Sequence, residues 1–554
     1  MLPLGREATP GNQGIKDWAG AYEYGQFSPF GFGGAYYYTR LAYNFRDPYM
    51  TESSCDVLII GGGLAGTWAA IAAAREGVRV ILVDKGYCGT SGVTATAGPG
   101  HWWVPPGARE VAIDKRLGTA YGLADARWMA RAIDTTWTSL PGLGDYYAFP
   151  KNDKGETQYR GLRGPEYLRG LRRRVLDSGV TILDHHPALE LLRDDHGRVA
   201  GARGWRRQAS GDWLIRANAV VLATGGCAFL SRLLGSHTNT GDGYLMAAEA
   251  GAELSGMEFS NYYCIAAAGS SMTRSMVYSF GDYFDAADRP LAISGGPGFT
   301  QDLARALLNG PVYCRLNRVP ADIRAQLPSI QPNLMLPFDR RGVDPYRERF
   351  AVTLHPEGTI RGVGGLRLLD DDCQTTVPGV FAAGDAASRE PIAGATSGGG
   401  AQNSAWALST GQWAGRGAAR LARLTLAYHG ALRGFDGAAA GSAELIQRIQ
   451  AEVHPLDKNL FRSGEQLARS LRELDNIWDQ VRSAQPGTNP LRARETAAMA
   501  ATARWCYTAA ALRKESRGMH QRSDTPQQSA RYDAHLRVSG VDQIQTRFDP
   551  ISPG

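Results

Sequence analysis

Three glycines near the start of this chain, Gly61, Gly63 and Gly66, form a Gly-x-Gly-x-x-Gly run. A phosphate can approach the backbone closely at a helix N-terminus, where free N–H groups and the helix dipole favour negative charge. Glycine permits that approach and the tight turn before it. Asp84 stands about twenty residues further on, where an acid can bond the hydroxyls of an adenosine ribose. Lys85 and Ser91, in the loop after it, complete that end of the expected site. These residues need a buried strand before the glycines, a helix after them and a second strand ending at Asp84. Residues 57–60 (Val-Leu-Ile-Ile), the alanine-rich stretch 64–76 and residues 78–83 supply all three. The expected fold is α/β and doubly wound, and the motif alone does not separate FAD from a nicotinamide dinucleotide.

Two later segments make that separation. Ala223-Thr224-Gly225-Gly226 follows an apolar strand at 219–222 and reads as a second flavoprotein turn. A further strand, 380–383, runs into Gly384 and Asp385, an acid placed for the ribityl and pyrophosphate region. Residues 394–404 then open a helix with Asn403 and Ser404 near its start. The N-terminus of that helix could stabilise negative charge at the pyrimidine edge of a reduced flavin. The expected cofactor is therefore FAD. No second Gly-x-Gly-x-x-Gly follows a strand, so electrons are expected to enter from a substrate or a protein partner, not from a second dinucleotide domain.

Length and composition bound the rest. With 554 residues, 43% apolar and 21% charged, the chain reads as a soluble protein of two or three domains. The net charge of +6 is spread along the chain with no Lys/Arg block, which gives nucleic acid no footprint. Seven scattered cysteines with no Cys-x-x-Cys pair speak against a structural zinc, a bound iron–sulfur cluster or a redox dithiol, and suit a reducing cytoplasm. The longest apolar run, 57–74, holds four glycines, so it reads as strand–turn–helix and not as a membrane span. Residues 1–49, rich in Gly, Tyr and Phe without a clear period, read as a poorly ordered arm or a tail before Met50. Residues 50–254 are expected to form the first part of the dinucleotide domain and 366–440 the second. Residues 255–365 break the pattern and read as an insertion. Within the first part, 180–192 and 201–213 read as strands around a turn at 194–197. From 441 to 554 the pattern is mainly helical.

These segments together resemble the flavoprotein subunits of fumarate reductase and succinate dehydrogenase, with L-aspartate oxidase, ketosteroid dehydrogenase and the adenylylsulfate reductase flavoprotein as relatives. Further likeness lies in Thr240-Gly241-Asp242-Gly243, which adds Asp242 to the expected FAD residues, in Met257-Glu258-Phe259, and in the charged run 513–524. That last run closes a helix at Gly518 and reads as a structural network of paired charges. The resemblance implies a glutathione-reductase-type FAD domain, an inserted α+β capping domain and a C-terminal helical region. It also implies hydride transfer at flavin N5 that makes or reduces a C=C bond. Covalent relatives attach FAD through a His after a Ser in the loop following the second strand. Here Gly92 follows Ser91, and His101 lies further along, so non-covalent FAD is expected.

The departures from the family concern the substrate. Tyr263 stands where the dicarboxylate branch has a carboxylate-binding His. A second family His has no counterpart in Thr359-Ile360-Arg361, and Ser397 stands in the place of a carboxylate-binding Arg. His355 and Arg361 are the nearby substitutes. Gln301-Asp302-Leu303-Ala304-Arg305-Ala306 resembles the stretch that carries the family's proton-transferring Arg, which points to Arg305. Buried anions need compensating partners, so the expected substrate is not a simple dicarboxylate. Two alternatives stand beside this oxidoreductase: an electron-transfer flavoprotein working with an iron–sulfur or ferredoxin-type partner, and a non-catalytic flavoprotein.

Overall fold

The computed structural model describes residues 51–551, apart from positions 153, 210, 272–274, 294, 297, 398, 436–440 and 484–488. The arm read at 1–49 lies outside these residues.

Aliphatic runs that are buried on both faces build the parallel part of a central mixed sheet, as the absence of alternation in 57–60 requires. Its strands are β1 (Thr51–Ile60), β2 (Val80–Val83), β3 (Thr181–Leu183), β4 (Ala188–Arg193), β5 (Val199–Trp205) and β6 (Asp212–Leu222). They lie in the order β3-β2-β1-β6-β5-β4, and the Val380–Ala382 strand also pairs with β6. β1 is parallel to β2 and β6, whereas β4, β5 and the first half of β6 form an antiparallel meander. β6 thus changes neighbour along its length: residues 212–216 pair with β5, and 220–222 with Val380–Ala382. The stretch 201–213, read from sequence as one strand, is two. Gly211, at φ +117°, turns the chain after Trp205 and starts β6 at Asp212.

The Leu64–Arg75 helix is buried from Leu64 to Ala73. The 26-residue Gly399–Leu424 helix packs across it at backbone distance: a Cβ on Gly411 would lie 2.4 Å from the Ala65 carbonyl, and one on Gly415 2.3 Å from that of Ala69. A small-residue seam therefore sets the separation of the two helices whose N-termini matter most for the site.

The chain divides into two compact units. One is Ile265–Leu354. It holds the Asp282–Phe284, Pro290–Leu291 and Val312–Arg315 strands and the Phe299–Asn309 and Ala321–Ile330 helices. The other comprises the described residues up to Cys264 and from His355 onward. Its C-terminal part contains the Ala443–Val453, Gly464–Ser483 and Pro490–Leu512 helices. A β-hairpin then follows, Ala534–Ser539 with Gln545–Pro550, and joins Leu254–Ser255 and Gly365–Leu366 in a four-stranded sheet. The helical reading of 441–554 missed this hairpin, although Ala534, Leu536 and Val538 alternate as a half-buried strand does. The helix ends at Leu512, not at Gly518, and much of the run 513–524 is buried, although Lys514, Ser523 and Asp524 are exposed. Arg513 pairs with Glu258 at 2.7 Å and Glu515 at 3.0 Å, and all three side chains are fully enclosed. Among the described residues, no helix is long and apolar enough to cross a membrane.

Candidate cofactor and active site

The residues expected to hold a dinucleotide converge at the carboxyl ends of β1, β2, β6 and the Val380–Ala382 strand, where open α/β sheets bind ligands. Gly61 has φ +110°, and a Cβ there would lie 2.3 Å from the Ala223 carbonyl. A Cβ on Gly66 would lie 1.7 Å from the Gly61 carbonyl. Both positions are filled by the protein's own backbone. Gly63 differs: a Cβ there meets nothing within 4 Å. Gly63 is also the N-cap of the Leu64–Arg75 helix, and no side chain caps that helix. The motif therefore leaves open the one place where a pyrophosphate would meet an uncapped helix N-terminus.

Beside it, the Asp84 carboxylate is buried and held in place. It accepts from Gly62 N at 2.5 Å, Gly86 N at 2.7 Å and the Ser91 hydroxyl at 2.5 Å. Lys85 turns the other way. Its Nζ meets Asp242 Oδ2 at 2.7 Å, Glu495 Oε1 at 3.1 Å and the Thr240 hydroxyl at 3.0 Å. Burial works against the ammonium charge, but the two carboxylates outweigh it and hold the Lys85 pKa above its usual value. Lys85 thus ties the loop after β2 to Asp242 and to the Pro490–Leu512 helix. Glu495, the partner that makes this tie, carried no signal in the sequence.

The second and third turns are linked by groups that sequence reasoning missed. Gly225, at φ +76°, lies against Asn239. Thr224 packs so closely on Gly243 that a Cβ there would be 2.2 Å from its hydroxyl. Gly384, at φ +65°, donates its N–H to Thr410 Oγ1 at 2.9 Å. The Asp385 carboxylate pairs with Arg389, a fully buried guanidinium that also donates to the Thr359 and Gly362 carbonyls. Tyr244 donates its hydroxyl to the Asp385 carbonyl at 2.6 Å, and Thr359 Oγ1 accepts from Cys227 N at 2.7 Å. The chain between them is not a helix, since Ala387 is extended, so no helical spacing announced the Asp385–Arg389 pair.

Asn403 and Ser404 lie in the first turns of the Gly399–Leu424 helix, both half-buried. Asn403 Oδ1 is buried without a hydrogen-bond partner. An orphaned acceptor near a helix N-terminus suits the alternating donors and acceptors of a flavin pyrimidine edge. With the open face at Gly63 and the buried Asp84 carboxylate, the residues fit a flavin dinucleotide.

The catalytic candidates are distributed. Tyr263 is 1% exposed, and its hydroxyl lies 3.0 Å from the His454 carbonyl, with those of Val453 and Pro455 at 3.4 and 3.3 Å. Burial pushes its phenol up. His355 is half-buried on the Phe350–Gly358 strand. Its neighbour His454 is pushed down to about 4, by burial first and then by the charge of His355. Arg361 lies against the Tyr262 ring, 4.9 Å from its centroid, and its Nε is buried without a partner. Close by, Cys264 donates to the fully buried Glu357 at 2.9 Å. Burial opposes the Arg361 charge, but the groups around it, Glu357 among them, hold its pKa up. Ser397 accepts from Gly399 N at 3.2 Å. Arg305 belongs to the other unit, on the Phe299–Asn309 helix, where it pairs with Asp302 at 3.0 Å and is largely exposed.

Comparison with known proteins agrees with this geometry. A family model of FAD dependent oxidoreductases matches residues 56–263, and one of the fumarate reductase flavoprotein C-terminus matches 452–547. One subunit of the CoM/CoB fumarate reductase of Methanothermobacter marburgensis is 27% identical, over 85% of this chain and 95% of its own length. The L-aspartate oxidase of Streptomyces coelicolor is 26% identical, over 85% and 89%. Two solved structures share the fold. The FrdA chain of E. coli quinol fumarate reductase has a TM-score of 0.75 at 20% identity, covering 91% of this chain and 98% of its own. Adenylylsulfate reductase of Archaeoglobus fulgidus has 0.72 at 17%, covering 93% and 99%.

Proposed function

Because the chain belongs to the FAD-dependent oxidoreductases of the fumarate reductase and succinate dehydrogenase flavoprotein family, we propose that it makes or reduces a C–C/C=C bond in a substrate that is not a simple dicarboxylate. Bound FAD supplies the acceptor or donor of a hydride. The residues of this chain supply its binding, the substrate contacts and the proton.

The observation that carries the substrate reading is the state of Tyr263. It occupies the place of a carboxylate-binding His, and its hydroxyl is committed to backbone carbonyls, with no positive charge to offer an anion. Ser397 likewise brings no charge to the place of a carboxylate-binding Arg. Arg361 is a cation suited to one anionic or acceptor group, since its Nε has yet to find a partner. Arg305 is proposed as the proton carrier. An arginine serves in that role only where a strongly basic carbanion forms and a carboxylate keeps the local charge balanced; Asp302, 3.0 Å away on the same helix, is the carboxylate beside it. His355 is a further candidate for orienting the substrate. FAD is held non-covalently, since Gly92 follows Ser91.

Electrons reach or leave the site through the substrate or through a separate iron–sulfur protein. The second route is supported by the likeness to a protein named as one subunit of a fumarate reductase. The direct test is steady-state turnover of fumarate, succinate and L-aspartate. Each is expected to fall far below the usual enzyme range of about 1–10³ s⁻¹; turnover of any of them within that range refutes the substrate reading.

A further inference from the structure

The segment from Ser91 to Trp103 runs the length of the candidate cofactor site. At one end, a Cβ on Gly92 would lie 3.5 Å from Gly63 Cα, beside the open helix N-terminus. At the other end, Trp102 N donates to the Ala401 carbonyl at 3.1 Å, and a Cβ on Gly100 would lie 3.7 Å from that of Ala401. Ala401 is in the first turn of the Gly399–Leu424 helix, two residues before Asn403 with its orphaned Oδ1. His101 sits at this second end.

His101 is 2% exposed, and its Nδ1 is buried with no hydrogen-bond partner among the described residues. Its other nitrogen, Nε2, lies 3.4 Å from the Tyr167 hydroxyl. That hydroxyl already accepts the indole N–H of Trp68 at 3.3 Å. Its own proton needs an acceptor, because a buried hydroxyl is rarely left unbonded. Nε2 is the acceptor within reach, which places the ring proton on Nδ1. Burial pushes the His101 pKa down to about 3, so the ring stays neutral at ordinary pH. The outcome is a buried, neutral N–H donor without an acceptor, a costly arrangement unless a ligand completes it.

We propose that the Nδ1–H of His101 donates a hydrogen bond to a carbonyl of the bound flavin's pyrimidine edge, and so both retains the cofactor and raises its reduction potential. The inference rests on the FAD reading. A pyrimidine carbonyl gains negative charge when the flavin is reduced, so a fixed donor there favours the reduced form. His101 thereby acts as a tuning residue of the cofactor.

The test compares His101→Phe, which keeps an aromatic ring against Tyr167 without a donor, with His101→Gln, which keeps a side-chain N–H. Flavin retention and midpoint potential are measured on the purified holoproteins by fluorescence and by dye equilibration. His101→Phe is expected to hold FAD about tenfold less tightly, the worth of one buried hydrogen bond, and to have a lower potential. His101→Gln is expected to recover most of both. Wild-type affinity and potential in His101→Phe overturn the proposal, as does a glutamine variant no better than the phenylalanine one. Should His101→Phe fail to fold, wild-type protein with nitrogen-15-labelled histidine decides. Its His101 N–H resonance is expected to move downfield when apoprotein takes up FAD, and an unmoved resonance overturns the proposal. A colourless wild-type protein would instead refute the flavin reading itself.

Discussion

Replacing Gly63 and Gly66 in turn by alanine separates cofactor binding from folding, because the two glycines face different things. A methyl group on Gly66 would sit 1.7 Å from a backbone carbonyl oxygen that cannot move without shifting the loop. Overpacking of that kind typically costs about 1–3 kcal/mol. Gly66→Ala is therefore expected to lower the thermal midpoint by several degrees. Gly63 has φ −76° and ψ −165°, which alanine adopts without strain, and a Cβ there meets nothing. Alanine for glycine at an N-cap costs at most about 1 kcal/mol. The added methyl would, however, stand between the helix N-terminus and a phosphate. Loss of one charge-assisted hydrogen bond, about 1.5–3 kcal/mol, weakens FAD binding by about 10- to 100-fold. Thermal unfolding of the apoproteins and FAD titration followed by fluorescence measure the two effects. Gly63→Ala protein that binds FAD within about twofold of wild type, or that is as destabilised as Gly66→Ala, would refute the placement of the phosphate.

Burial opposes ionisation of Glu390, but His535, Arg537 and Ser255 overcome it and hold its pKa at about 2 against 4.5 unfolded. Its contribution is therefore fully present above pH 4.5 and is lost as pH falls towards 2; Glu390→Gln should flatten that part of an acid-unfolding curve, and an unchanged curve counts against the network. Arg513→Met should leave the buried Glu258 carboxylate without its cation, while Glu515 keeps Arg517, and cost about 3–5 kcal/mol, read as a large drop in unfolding temperature, whereas a drop within error would mean the run is not structural. Arg305→Gln should keep FAD and fold but lose turnover by about two to four orders of magnitude, and near-normal turnover would move the proton donor elsewhere. Acid precipitation of the purified protein should release all flavin to the supernatant; flavin in the pellet would show a covalent bond.

The cofactor half of the site was legible in the sequence because its chemistry needs fixed residue types. A helix N-terminus left open to a ligand suits Gly63, and a turn packed against Ala223 needs Gly61. The same holds for the doubly wound sheet, whose buried strands are uninterrupted aliphatic runs. What the sequence hid depends on contacts between distant segments. Glu495 meets Lys85 across 410 positions, and Thr359 meets Cys227 across 132. Arg389 gave no local signal, because the chain from Asp385 to it is not helical. The run 513–524 reads as a structural network of paired charges, but its partners, Glu258 and two backbone carbonyls, are announced by no local pattern. The C-terminal hairpin was written as alternation in 534–539, but six residues beside long helices make a weak signal. The candidate substrate contacts are the least legible, since Tyr263 stands where the family has a His and its hydroxyl is bound to backbone carbonyls.

The most direct test mixes the oxidised holoprotein anaerobically with saturated acids and ketones, ketosteroids, amino acids and thiols, and with succinate and L-aspartate, while recording the flavin absorbance. The protein is expected to be yellow, with a flavin band bleached rapidly by a compound outside the dicarboxylates and only slowly, if at all, by succinate or L-aspartate. Rapid bleaching by either dicarboxylate, or a folded protein that carries no flavin, would contradict the proposed function.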